Sequence, residues 1–352
     1  MSTPDSGDRP SSGRHWSEVS DEELLKHRIC DLGLAIQGTE LEARVQALHR
    51  ELERKGLLKF RPGVYLGDEW FTPEGATSIS IPFYLAHPRL KGLERKFMLE
   101  VEGGTDPWCM KLLRHESGHC FDHAYGVSRR RLWRRLFGSP SADYDPDAYR
   151  PRRYSRRYVI HLDNWYSQAH PHEDFAETFA VWLDPESDWE KRYARWPGAL
   201  EKLRYVHLLA GECAGKEPSV SGGRQTYAVA RLKSTLELFY KKKIKANEED
   251  YPGFFDSDLR AIFDGAAELS RREAGAAEFL RRRRRLIVDT ISRWTGEKKY
   301  AIDGLVRKLI ARCDSTGLRL GRPEAHTNLE VAAWLASLVT RSVFTGRYKR
   351  MP

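Results

Sequence analysis

The eight residues HESGHCFD, 115–122, set two histidines four positions apart with a glutamate beside the first. On a helix, His115 and His119 share one face and can aim at one metal ion, with Glu116 turned toward a bound water. Imidazole suits zinc, and two histidines with one carboxylate leave a fourth position open for water, as hydrolytic sites require. A pattern this short also arises by accident. Its meaning depends on whether the chain supplies a helix, a third ligand and a group to meet developing charge.

Residues 107–125 read as that helix, with Asp106 as N-cap, Pro107 in the first turn and Gly126 where the chain should leave. The downstream positions at which metzincins carry a glycine and a third histidine are Asp122 and Tyr125, so that class is excluded. His123 continues the i+4 spacing but lies roughly 80° around the helix from His115, and it should miss the metal. The better place for a third ligand is HPHEDFAETF, 170–179. Glu173 and Glu177 stand four apart on a helix expected to begin near Pro171, with Phe175, Phe179 and Trp182 as its packing face. A buried carboxylate pair with nothing to bind is costly. A metal would account for it; the alternative is two solvated acids favoured by the helix dipole.

HESGHCFDHAYG followed by a distant ExxAE helix resembles the gluzincin metallopeptidases. The likeness is strongest to the bacterial putative zinc-binding metallopeptidase family, whose members carry a similar HPxEDxAETxA segment. It is weaker to the catalytic domain of anthrax lethal factor. The resemblance covers roughly residues 60–205 and is silent on the C-terminal third. It implies a zincin-like fold, a Zn2+ cofactor held by His115, His119 and Glu173, and hydrolysis of peptide bonds with Glu116 as general base. Glu177, one turn after Glu173, would support a ligand histidine. In the lethal-factor pattern a catalytic tyrosine stands seven residues before the ligand glutamate, and here that residue is Tyr166. Its phenol would donate to the oxyanion; the alternative is a core aromatic beside Trp165. Asp122 is a candidate to orient a ligand imidazole, since metal-bound histidines donate their other N–H to an oxygen. His170 and His172 are candidates to assist substrate or oxyanion.

Elements that must position these residues can be read on both sides of the motif. TELEARVQALHRELERK, 39–55, carries an apolar stripe of Leu41, Val45, Leu48 and Leu52, a Thr39/Glu42 capping box, and Gly56 as terminator. SISIPFYL, 78–85, alternates as a half-buried strand, and Pro82 assigns it to a sheet edge, where an extended peptide could add. KFMLEV, 96–101, reads as a neighbouring strand. The composition changes at 211–224, GECAGKEPSVSGGR, and only helical segments follow. The expected architecture is α+β. A polar, flexible tail occupies 1–20 and a zincin-like domain 21–210, with a small mixed sheet, the HExxH helix and the ExxxE helix. A linker at 211–224 leads to a helical accessory domain over 225–352.

The 352 residues are 40% hydrophobic, which suffices for a core, and ten Trp with fifteen Tyr argue against disorder. No apolar run approaches a membrane span, and the first residues lack the apolar core of a signal peptide, so a cytoplasmic protein is expected. Five scattered cysteines without a C-x-x-C pair suggest neither a disulfide framework nor a cysteine zinc site, and Cys120 is expected to be a small buried residue. The net charge of +9 is concentrated in SRRRLWRRLFG (128–138), YRPRRYSRRY (149–158) and LRRRRRL (280–286). These runs are either solvated faces or attraction sites for an acidic partner or nucleic acid. The insert at 128–158 could also restrict a metallopeptidase cleft or select acidic substrates. Besides a peptidase acting on polypeptides, two readings remain: a nucleic-acid-associated protein, and an interaction module with structural zinc. Against the latter, a structural site has no need of Glu116.

Overall fold

The computed structural model describes residues 15–144, 151–152, 155–247, 255–263 and 275–345. The expected tail therefore lies largely outside the described residues. Its last part does not behave as a tail: Trp16 is buried and donates from Nε1 to the Leu32 carbonyl, and Ser20 caps helix α1 (Asp21–Leu24).

Helix α2 (Glu40–Arg54) forms where the capping box and stripe predicted it, and Leu41, Val45, Leu48 and Leu52 are buried. Thr39 accepts from the Leu41 N–H, while Glu42 reaches back one residue further than a capping box requires, to the Gly38 N–H at 2.8 Å. Gly56, at φ +83°, turns the chain out of the helix.

Strands β1 (Gly63–Gly67) and β2 (Ser78–Pro82) pair in parallel, Val64 opposite Ile79 and Leu66 opposite Ile81. The structure is a mixed one, mostly helical around this two-stranded sheet. All five residues of β2 are buried, and Phe83–Ala86 continue as a 3-10 turn, so the half-buried strand expected over 78–85 is both shorter and more enclosed. Its outer edge is not open throughout: the Ser80 N–H donates to the Phe71 carbonyl at 2.8 Å. The strand expected at 96–101 is absent. Lys96 to Met98 finish helix α3 (Pro88–Met98), whose buried Leu90, Leu93, Glu94 and Met98 recur at helical spacing, and Leu99 stops it in the left-handed region at φ 66°.

Helix α4 (Asp106–Tyr125) carries the histidine motif and ends at Gly126, φ 58°. Its N-cap is Thr105 rather than Asp106. Asp106 instead accepts from Arg44 Nε at 2.6 Å, tying the first turn of α4 to α2. Helix α5 (Arg131–Phe137) follows, then α6 (Pro171–Leu183), the single turn α7 (Trp189–Arg192) and α8 (Pro197–Cys213). The α4–α6 contact is the centre of the core. Phe121 packs on Phe175 and Phe179, and Gly118 lets the two backbones meet: a Cβ there would sit 2.7 Å from Ala176 Cα. On its other side α6 is pinned to α8 by a buried ion pair, Asp174 to Lys202 at 2.5 Å. Burial pushes the Asp174 carboxyl up to about 7 against the pull of Lys202.

This first apolar core runs from Trp16 to Cys213 and, beyond the stretch read as a linker, takes in Leu236 and Tyr240 of helix α9 (Leu236–Asn247). A second cluster, Leu259 to Val339, is built by α10 (Asp256–Phe263), α11 (Ala276–Thr295), α12 (Lys299–Thr316) and α13 (Glu324–Thr345). Among the described residues, no helix is long and apolar enough to cross a membrane.

Candidate metal centre

His115 and His119 project from one face of α4 toward Glu173 in the first turn of α6. His115 Nε2 lies 3.1 Å and His119 Nε2 3.3 Å from the same Glu173 oxygen, Oε2, and the two imidazole nitrogens are 3.2 Å apart. Donors held about 2.0–2.1 Å from one tetrahedral zinc stand roughly 3.3 Å from each other. The triangle of two nitrogens and one carboxylate oxygen therefore fits a zinc ion by both size and chemistry, and among the described residues it is the group that could hold a metal.

The environment orders these atoms. His115 Nδ1 bonds Glu177 Oε1 at 2.8 Å, so the ring's other nitrogen is turned to Glu173. Glu177 is fully buried, and its second oxygen accepts from the Leu162 N–H at 2.8 Å. Burial alone would raise Glu173 and lower His115. The facing charges reverse both: the imidazoles hold the Glu173 carboxyl well below the usual range, and Glu173 with Glu177 raise His115 well above its usual value.

Glu116, next to His115 in the chain, is buried as well. Its Oε2 accepts from the Thr72 hydroxyl at 2.8 Å, which leaves the second carboxylate oxygen for a water or substrate proton. Thr72 comes from the β1–β2 loop, 44 residues before Glu116. Nothing in the local spacing of the motif points to it, and sequence reasoning missed it. The thiol of Cys120, fully buried, is 3.7 Å from the same hydroxyl, and burial raises its pKa strongly.

Tyr166 lies on the 3-10 segment Asp163–Gln168, with its ring centroid 5.8 Å from that of His115. Its hydroxyl is 2.7 Å from that of Tyr144, a residue of the arginine-rich insert to which the sequence alone gives no role. Burial and the nearby Glu173 push the Tyr166 phenol far above its ordinary pKa, which keeps it a neutral donor.

The remaining candidates are engaged elsewhere. Asp122 was expected to orient a ligand imidazole; its carboxylate instead bonds His172 Nδ1 at 3.1 Å and the Ser128 N–H at 2.8 Å. By helical phase Asp122 stays within about 20° of His115, but it lies two turns further along α4, where its carboxylate meets the turn leaving the helix and His172. His172 is thereby held by Asp122. His170 is the N-cap of α6, accepting the His172 N–H at Nδ1, and its Nε2 bonds the Ala142 carbonyl at 2.9 Å. His123 turns away from the triangle and bonds the Ala76 carbonyl at 2.7 Å.

The arginine runs are partly neutralised. In 280–286, Arg281 pairs with Asp314, Arg282 and Arg283 with Glu324, and Arg284 with Asp303. Residues 149–150 and 153–154 of the second run lie outside the described residues.

Residues 110–193 match the family described as "Putative zinc-binding metallo-peptidase", the family to which the two motifs pointed. The matched stretch contains His115, Glu116, His119, Tyr166, Glu173 and Glu177. No curated protein and no solved structure matches the chain.

Proposed function

We propose that the chain is a zinc-dependent endopeptidase of the gluzincin type, acting on polypeptides that can pass the arginine- and tyrosine-rich insert. The observation that carries this reading is the meeting of His115, His119 and Glu173 at mutual distances of 3.1–3.3 Å, with Glu116, next to His115 in the chain, buried as well. A purely structural zinc leaves such a glutamate without a task.

His115, His119 and Glu173 would hold the zinc, which when bound supplies Lewis acidity for a carbonyl and acidifies water to about pKa 7. Glu116, with one oxygen fixed by Thr72, uses the other to accept a proton from water and to return it to the leaving amine. Tyr166 donates a hydrogen bond to the oxyanion, once a substrate carbonyl replaces Tyr144 as its neighbour. Glu177 keeps the His115 ring in one tautomer and orientation. The backbone addition of a peptide along β2 is limited at Ser80, where Phe71 already takes the N–H. A substrate strand would have to engage beyond that point.

The deciding experiment measures metal and turnover together. Purified protein should carry one zinc per chain, lost in His115→Ala and Glu173→Ala. Glu116→Gln should keep the zinc and lose about 10²–10⁴-fold in rate. New peptide termini in a lysate treated with wild type, absent with Glu116→Gln, would identify the substrates. Full zinc content in Glu173→Ala, or undiminished cleavage by Glu116→Gln, would overturn the reading.

A further inference from the structure

The loop that carries Thr72 is held from a distant part of the chain. Residues 68–72 leave β1 and return toward β2, and three contacts fix them. Ser80 binds the backbone, its N–H on the Phe71 carbonyl and its hydroxyl on the Glu69 carbonyl, each at 2.8 Å. Tyr227, from the stretch after α8, sets its ring 6.3 Å from that of Phe71. Lys243, on α9, places its ammonium 2.8 Å from Glu69 and 3.0 Å from Glu94, over the face of Tyr84. The same segment is sewn to the strands, since Tyr65 donates to the Thr226 carbonyl and the Thr77 N–H donates to Gly222.

The charges in this cluster are unequal. Glu94 on α3 is 2% exposed and cannot turn to water, whereas the Glu69 side chain is 43% exposed and can. Lys243 therefore bridges one carboxylate that is fixed and one that is free to leave. Without the ammonium the two acids repel, and the partner that moves is Glu69, three residues before Thr72.

We propose that Lys243 is a positioning residue of the metal centre: by holding Glu69 it sets the 68–72 loop so that Thr72 donates to Glu116. The segment 222–243, read from the sequence as linker and the start of an accessory domain, thus completes the site instead of merely following it. The consequence for turnover rests on the metallopeptidase reading, while the mechanical link between α9 and the loop does not.

The test uses the full, zinc-loaded chain as wild type, Lys243→Met, Lys243→Arg, Glu69→Gln, Thr72→Val and the Lys243→Met/Thr72→Val pair. Amide hydrogen exchange is followed over 68–73 and over 110–125, with zinc content, kcat and KM on a peptide that the wild type cleaves. Lys243→Met and Glu69→Gln should speed exchange at 68–73 at least tenfold with 110–125 still protected and one zinc retained. Lys243→Met should lower kcat to about the Thr72→Val level with KM unchanged, Lys243→Arg should restore it, and the double variant should be no slower than the worse single one. Glu69→Gln is the gentler variant and decides the matter if Lys243→Met fails to fold. Unchanged exchange at 68–73 in Glu69→Gln, or losses that multiply in the double variant, would overturn the proposal. If the wild type cleaves nothing, the exchange data still decide the link, and the metallopeptidase reading fails separately.

Discussion

Gly118 sits between the ligand histidines, and its missing side chain sets the spacing of the metal site. A Cβ at this position would lie 2.7 Å from Ala176 Cα, 3.1 Å from the Ala176 carbonyl oxygen and 3.1 Å from Phe179 Cβ. The nearest obstacle is backbone, which cannot rotate aside, so α4 and α6 must separate by about 0.7 Å to reach ordinary contact. The histidines ride on one helix and Glu173 on the other, so the opening falls directly on distances of 3.1–3.3 Å that have little slack. Displacement beyond about 0.5 Å is enough to spoil such a constellation. Gly118→Ala should therefore lower zinc affinity by about 10–100-fold, the range seen when the support of a ligand is removed. Overpacking costs about 1–3 kcal/mol, and the better helix propensity of alanine returns about 1 kcal/mol, so the fold should survive. The assay is competition with a chromophoric chelator, alongside urea unfolding of the zinc-free protein. Gly211→Ala is the control: a Cβ on this helical glycine would meet nothing within 4 Å, and the change should leave zinc affinity alone while adding up to about 1 kcal/mol of stability. Wild-type zinc affinity in Gly118→Ala would refute the idea that helix separation controls the site.

Glu177→Gln removes the charged acceptor from His115 Nδ1 at unchanged volume, and zinc affinity should fall about 10–100-fold, read by the same chelator competition. Lys202→Met leaves Asp174 in the core without its partner, at a cost of about 3–5 kcal/mol if the acid stays ionised. Asp174 has a raised folded pKa of about 7, so the native state holds a proton that the unfolded chain has lost above its ordinary 3.8, and stability falls as pH rises between those values. Removing Lys202 raises that folded pKa further, and the penalty in urea unfolding should be larger at pH 8 than at pH 5.5 by about 1 kcal/mol. Zinc must displace the proton that Glu173 and Glu177 stabilise on His115, so its apparent affinity should fall as pH drops through the raised pKa. Calorimetry in two buffers of different ionisation heat would show the released proton.

Sequence pattern reached those parts of the site whose geometry is local. His115 and His119 needed only the helical period; the same period singled out Glu173 and Glu177 as a pair, and the family resemblance divided their roles. The helix ends came from Pro107, Pro171 and Gly126, each of which acts through its own backbone. What was not legible depends on partners distant in sequence. Thr72 reaches Glu116 because Ser80 folds its loop back, and Leu162 reaches Glu177 from outside the helix that carries it. Asp122 shares the helical face of His115, yet its carboxylate is taken by the Ser128 N–H and His172, partners that the motif does not announce. KFMLEV failed as a strand because the preceding turns, capped by His87, had already fixed a helical period that a six-residue window does not reveal. The arginine run at 281–284 could be read as a solvated face or an anion-attracting one, and its pairing with Asp314, Glu324 and Asp303 was not legible because those acids are remote in sequence.

Helix α6 explains why errors at this site should be shared rather than independent. One face of it supplies Glu173 to the ligand triangle, and one turn later Glu177 orients His115 with one oxygen and holds the Leu162 N–H with the other. Leu162 is the N-cap of the 3-10 segment bearing Tyr166, so the third ligand, the ring angle of the first ligand and the tyrosine all take their position from one rigid element. The devices that fix α6 then matter more than their distance from the chemistry suggests. Gly118 sets how near it comes to α4, and the buried Asp174–Lys202 pair sets how it lies on α8. A buried ion pair is weak evidence for stability, since an apolar pair could do as well, but it is directional and tolerates little sliding. Its place immediately after Glu173 in the sequence puts that directionality on the turn that carries the third ligand.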